Sequence, residues 1–116
     1  MSELKRLVCA FGFSIDGIKF AWRDEAAFRL EVVLSLLIIP VGFYLGHNGI
    51  ERALLLGSWL LVPTIELVNT ALEAITNYAT KMERHELAKK TKDAGSAAVL
   101  LACILFLTIW ACVLIG

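Results

Sequence analysis

The sequence holds little of what marks a soluble catalytic domain. Its 116 residues include two prolines, and there is no Pro/Ser-rich stretch, low-complexity run or internal repeat to suggest a linker or a second unit. One small domain is the economical reading. Three cysteines, Cys9, Cys103 and Cys112, have no metal-ligand spacing; we read all three as unpaired and structural, the two in the last apolar run as small core residues. Net charge of one sign is missing too: eleven basic residues balance eleven acidic ones. No basic stripe with interleaved aromatics is present, which argues against nucleic acid as a partner. A secretory signal is not visible, because no apolar run near the N-terminus leads to a small-residue cleavage site. Gly12, Gly17 and Lys19 come near a phosphate-binding loop but lack its adjacent Gly-Lys-Ser/Thr and any preceding strand.

What is present is apolar. Hydrophobic residues make up 59 % of the chain and charged ones 19 %, with a mean hydropathy of +0.75. These values point to the membrane class, and the pattern along the chain predicts an all-α integral membrane protein with three transmembrane helices and an N-terminal amphipathic surface helix. Leu4, Leu7, Val8, Phe11, Ile15, Ile18 and Trp22 form one apolar stripe opposite Lys5, Asp16, Lys19 and Arg23. A helix of that kind over about 4–22 lies in the membrane interface rather than across it. Spans are expected over about 28–47, 53–77 and 96–115. Pro40 should kink the first and Pro63 distort the second. Basic residues number five up to Arg29, at the first span's leading edge, one (Arg52) in the following turn, and five from Lys81 to Lys92. The positive-inside rule then puts the N-terminus in the cytoplasm and the C-terminus outside.

Against this background one stretch stands out, P-T-I-E-L-V-N-T-A-L-E-A-I-T-N from Pro63 to Asn77. At ~100° per residue, Glu66, Asn69, Thr70, Glu73 and Asn77 share one helix face. Acids on a membrane helix are costly unless they find a partner, a proton or water, so they mark function by default. The plain alternative is that they only pair with basic residues on neighbouring helices. Two acids at different depths, ~10 Å apart along the axis, suit a reaction between a soluble and a lipidic substrate. Glu73, the shallower, can coordinate a hard cation such as Mg²⁺. Glu66, deeper and drier, is placed to accept a proton as general base, and Asn69 can orient either partner. Residue physics alone stops at a membrane-interface enzyme or an ion-handling protein.

The segment E-L-V-N-T-A-L-E resembles the signature of the small bacterial membrane kinases, the diacylglycerol kinase and undecaprenol kinase family, in its proteobacterial form. A-W-R-D-E-A-A-F-R-L-E (Ala21 to Glu31) and K-D-A-G-S-A-A-V (Lys92 to Val99) extend the likeness in the right order. The resemblance implies a homotrimeric, multi-pass inner-membrane enzyme that phosphorylates diacylglycerol with Mg²⁺ and ATP. It implies Glu66 as the base and Glu25 and Glu73 as metal ligands. It puts Arg6, Phe13, Glu25, Glu73, Glu83, His85, Lys92 and Asp93 on ATP. It puts Ala10, Ser14, Lys19, Trp22, Arg29, Glu31, Glu66, Ser96 and Trp110 around the lipid, with Asn69 and Asn77 supporting. Undecaprenol is the alternative lipid, and a channel or transporter subunit the rival from another class. Two departures from the family pattern stand out: Asn77 replaces the usual Asp, and the loop from Lys81 to Arg84 is one residue longer.

Overall fold

A computed structural model describes residues 2–116, and these form four helices: α1 (Glu3–Asp24), α2 (Ala26–Leu45), α3 (Gly49–Thr80) and α4 (Glu86–Ile115). The last three are long and apolar enough to cross a membrane. The fold is therefore all-helical and fits an integral membrane protein, as the composition led us to expect. α1, α3 and α4 each begin at a side-chain cap, whereas α2 follows Glu25 without one. Ser2 accepts from the Lys5 amide at 3.2 Å, Asn48 from the Glu51 amide at 2.9 Å and His85 from the Leu87 amide at 3.1 Å. α1 and α2 have only Glu25 between them, in an extended conformation (φ −116°, ψ 107°). Pro40 and Pro63 both lie inside helices that continue through them. Gly12 and Gly17 are inside α1, so the near-miss phosphate loop is helix.

At 32 residues, α3 is ~48 Å long against a hydrocarbon layer of ~30 Å. It ends when Lys81 and Met82 both turn left-handed (φ 53° and 64°). α4 starts earlier than hydropathy suggests, at Glu86 rather than near Ser96. Its first two turns are charged, and the i,i+4 pairs Lys89–Asp93 (2.7 Å) and Glu86–Lys90 (3.9 Å) support them as helix.

The core lies between α2, α3 and α4. Trp59, Val62 and Ala102 are buried there, with Leu34, Ile38, Ile65 and Phe106 packed around them. The Trp59 ring meets Phe106 edge-on at 5.1 Å, and its indole N–H donates to the Ser35 hydroxyl at 2.8 Å. Farther along, the Trp110 indole donates to the Leu55 carbonyl at 3.0 Å. Gly42 lets the Trp110 ring come close: a Cβ there would stand 3.2 Å from it. α1 is different. Ala21 is its single buried residue, while Leu4, Leu7, Val8 and Phe11 are exposed.

Candidate functional site

The polar face of α3 turns inward. Glu66 and Asn69 are each 7 % exposed and Thr70 6 %. The charges of Glu73, one helix face along, and of Glu25, at the α1–α2 corner, both reach Glu66. Glu31 on α2 is also within electrostatic range of Glu66, and the Cys103 thiol on α4 feels both. Two carboxylates from α3, one from α2 and one from the α1–α2 corner thus lie within electrostatic range of one point, Glu66. Salt bridges with Lys or Arg do not neutralise them among the described residues, which disfavours the plain ion-pair reading.

Asn69 links the two acids of the stripe. Its Nδ2 donates to Glu73 Oε1 at 3.3 Å, and its Oδ1 is buried without a donor. That oxygen sits against Gly95 of α4, where a Cβ would collide with it. Thr70 has another buried oxygen without a partner. The other threonines of the chain return their hydroxyls to the carbonyl four residues back, Thr64 to Leu60 and Thr76 to Leu72 among them. Among the described residues, no three His, Cys, Asp or Glu side chains make a metal cage by themselves. Mg²⁺ does not need one, since it keeps several waters and takes one or two carboxylates plus substrate phosphates. The carboxylates of Glu25 and Glu73 and an orphaned amide oxygen are hard oxygen donors of that sort, and they fit.

Beyond Glu73, a cleft of about 510 Å³ lined largely by polar residues opens between the end of α3 and the start of α4. Asn77, Glu83, His85, Lys92 and Asp93 line it together. Arg84 and Lys89, which the sequence reading did not single out, line it as well. Lys89 holds Asp93 at 2.7 Å, and His85 caps α4 through its ring nitrogen. The cleft thus opens at a helix N-terminus, which favours anions. A second cleft, about 400 Å³ and nearly all apolar, lies between α1 and α3 with Ser14, Ala21 and Thr70 in its wall.

Residues 12–114 match the family described as prokaryotic diacylglycerol kinase. The chain belongs to that family. It is 43 % identical to the diacylglycerol kinase of Pseudomonas aeruginosa over 97 % of this chain and 91 % of that one. For the Escherichia coli K12 diacylglycerol kinase the figures are 42 %, 95 % and 88 %. For that of Haemophilus influenzae they are 39 %, 92 % and 90 %. A lipid kinase of the prokaryotic diacylglycerol kinase family is thus the class of enzyme, and three apolar helices with bacterial relatives fit an inner-membrane protein.

Within this family member, not every expected site residue reaches the cluster. Arg6, Ala10, Phe13, Lys19 and the Trp22 side chain lie exposed along α1, and none of them lines either cleft. Ser96 is exposed beside Gly95. Trp110 is committed to Leu55 and Gly42, some ten residues of α3 away from Glu66. Arg29 donates to the carbonyls that end α1. The closeness of Cys103 to the acids and the fit of Gly95 to Asn69 were beyond the sequence reading. Each is a contact between helices that periodicity on one helix cannot report.

Proposed function

We propose that this chain transfers the γ-phosphoryl group of ATP to the free hydroxyl of diacylglycerol, giving phosphatidic acid at the cytoplasmic face of the membrane. The carrying observation is the buried Glu66 on α3, flanked by Glu73, Glu25 and the Asn69 amide. The lipid hydroxyl oxygen bonds to the γ-phosphorus as the bond from that phosphorus to the bridging oxygen breaks and ADP leaves. The hydroxyl proton passes to a Glu66 carboxylate oxygen, which serves as general base. Asn69 holds the neighbouring Glu73 in place through its amide. Glu25 and Glu73 hold Mg²⁺, which when bound neutralises phosphate charge. Lys92, Arg84 and His85 in the polar cleft bind the nucleotide phosphates, and burial around Glu66 limits water as a competing acceptor.

The apolar stripe of α1 lies in the membrane interface, and three chains assemble with their sites shared. Support comes from the exposure of that stripe and from the burial of a single α1 residue within one chain. A site open on one side would leave Glu66 near hydrocarbon, and a neighbouring subunit removes that cost. The test is ATP-dependent phosphorylation by purified protein offered diacylglycerol and undecaprenol side by side. We expect phosphatidic acid. Undecaprenyl phosphate alone would replace the substrate, and labelling of neither lipid would refute the kinase reading.

A further inference from the structure

The resemblance puts Arg29 at the lipid, yet its guanidinium is engaged elsewhere. One nitrogen, Nη1, donates to the Trp22 carbonyl at 2.9 Å and the Arg23 carbonyl at 2.8 Å. Those oxygens belong to the last turn of α1, where carbonyls have no partner within the helix. A cation there also meets the negative end of the helix dipole. The side chains on the same turn do not compete, because Arg23 is turned to its neighbour Asp24 at 3.1 Å. Arg29 itself is one turn into α2, so it ties the end of one helix to the start of the next.

The residue between the two helices is Glu25. Its amide donates to the Ala21 carbonyl at 2.8 Å, and its carbonyl accepts from the Arg29 amide at 3.1 Å. Both backbone groups of Glu25 are thus fixed, one to each helix, and its φ and ψ set the angle between them. A swing of α1 at this corner moves the Glu25 carboxylate relative to Glu66, which its charge reaches. Little else restrains α1, since Ala21 is its one buried residue.

We propose that Arg29 is a positioning residue, which locks the α1–α2 corner and thereby holds the Glu25 carboxylate at the metal-binding side of the acidic cluster. This rests on the kinase reading with Glu25 as a Mg²⁺ ligand. Lysine is a poorer replacement, because its ammonium turns freely on a flexible stem, whereas a planar guanidinium holds the two N–H bonds of Nη1 in fixed directions.

The experiment compares wild type, Arg29→Ala, Arg29→Lys, Glu25→Gln and the double variant Glu25→Gln/Arg29→Ala in mixed micelles. Binding of Mn²⁺ in the presence of a non-hydrolysable ATP analogue is followed by electron paramagnetic resonance, alongside Mg²⁺ and diacylglycerol titrations of activity. We expect Arg29→Ala to weaken Mn²⁺ binding and raise the half-saturating Mg²⁺ about tenfold, with Arg29→Lys between it and wild type. The KM for diacylglycerol should stay within about twofold, and the double variant should bind Mn²⁺ no worse than Glu25→Gln alone. Unchanged metal binding with a raised lipid KM would overturn the proposal and put Arg29 on the headgroup. Additive losses in the double variant would overturn it too, because Arg29 would then act by another route. Wild-type protein that binds Mn²⁺ with the analogue but phosphorylates no lipid would refute the kinase reading while leaving the Arg29 comparison in force. Wild-type protein that does neither refutes both.

Discussion

The side-chain oxygen of Asn69 rests on the backbone of Gly95, with no room between α3 and α4 for even a methyl group. The same amide reaches back to Glu73 at 3.3 Å, so the fit between two helices fixes an acid of the proposed site. Gly95→Ala should therefore displace Asn69, free Glu73 and lower activity more than it lowers stability. Overpacking of this kind costs ~1–3 kcal/mol. Thermal unfolding in detergent and kinase assays on one preparation check both. Full activity in Gly95→Ala would mean that the amide is not held by this contact.

The two acids of α3 should separate by role. Glu66→Gln removes the proton acceptor and keeps the shape, so phosphoryl transfer should fall by ~10²–10⁴-fold with MgATP binding nearly intact. Glu73→Gln should weaken MgATP binding as well. Calorimetric titration of each variant with a non-hydrolysable MgATP analogue, set against turnover, gives the comparison. Near-normal turnover in Glu66→Gln would remove it as the base.

Asn77 shares the polar cleft with Lys92, Arg84 and Lys89. Replacing its amide by a carboxylate, Asn77→Asp, adds an anion where cations are already gathered. Turnover should be equal or higher, and the KM for MgATP equal or lower. A severe loss would show that the cytoplasmic end of this site has been rebuilt around the amide.

How much of this was legible beforehand differs from helix to helix. The acidic stripe of α3 was plain, because acids at helical spacing in an apolar run stand out without any tertiary information. The gathering of Glu83, His85, Lys92 and Asp93 came from the family likeness, and the cleft brings those residues together. That α4 begins ten residues before the expected span was not visible in hydropathy, which does not register a charged helical turn, whereas the His85 cap and the Lys89–Asp93 pair support it. Arg29, Gly95 and Trp110 act through partners on other helices or across a corner, which spacing along one helix does not reveal.

Orientation is open to a direct check. A reporter fused after Gly116 should read as periplasmic, and one inserted between Lys81 and Lys92 as cytoplasmic, given the five-one-five distribution of basic residues. A cytoplasmic C-terminus would contradict three crossings.

Shared sites predict complementation. Glu66→Gln and an inactive variant in the Arg6–Trp22 segment, each dead alone, should regain activity when mixed in detergent under verified subunit exchange. Mixtures that stay dead would mean that α1 serves the site of its own chain.

The bond from Trp110 to the Leu55 carbonyl joins residues 55 positions apart. Together with the Trp59–Phe106 contact, it means that α4 shares with α2 the cover over the inner face of α3. A chain without α4 leaves Trp59 without its aromatic partner and Asn69 without the Gly95 backbone that packs on it. The carboxylates of α3 then face acyl chains or whatever else the bilayer supplies, an exposure that membrane segments tolerate poorly. Packing and chemistry thus draw on the same buried groups: without α4, the polar side of α3 displays what the folded chain conceals.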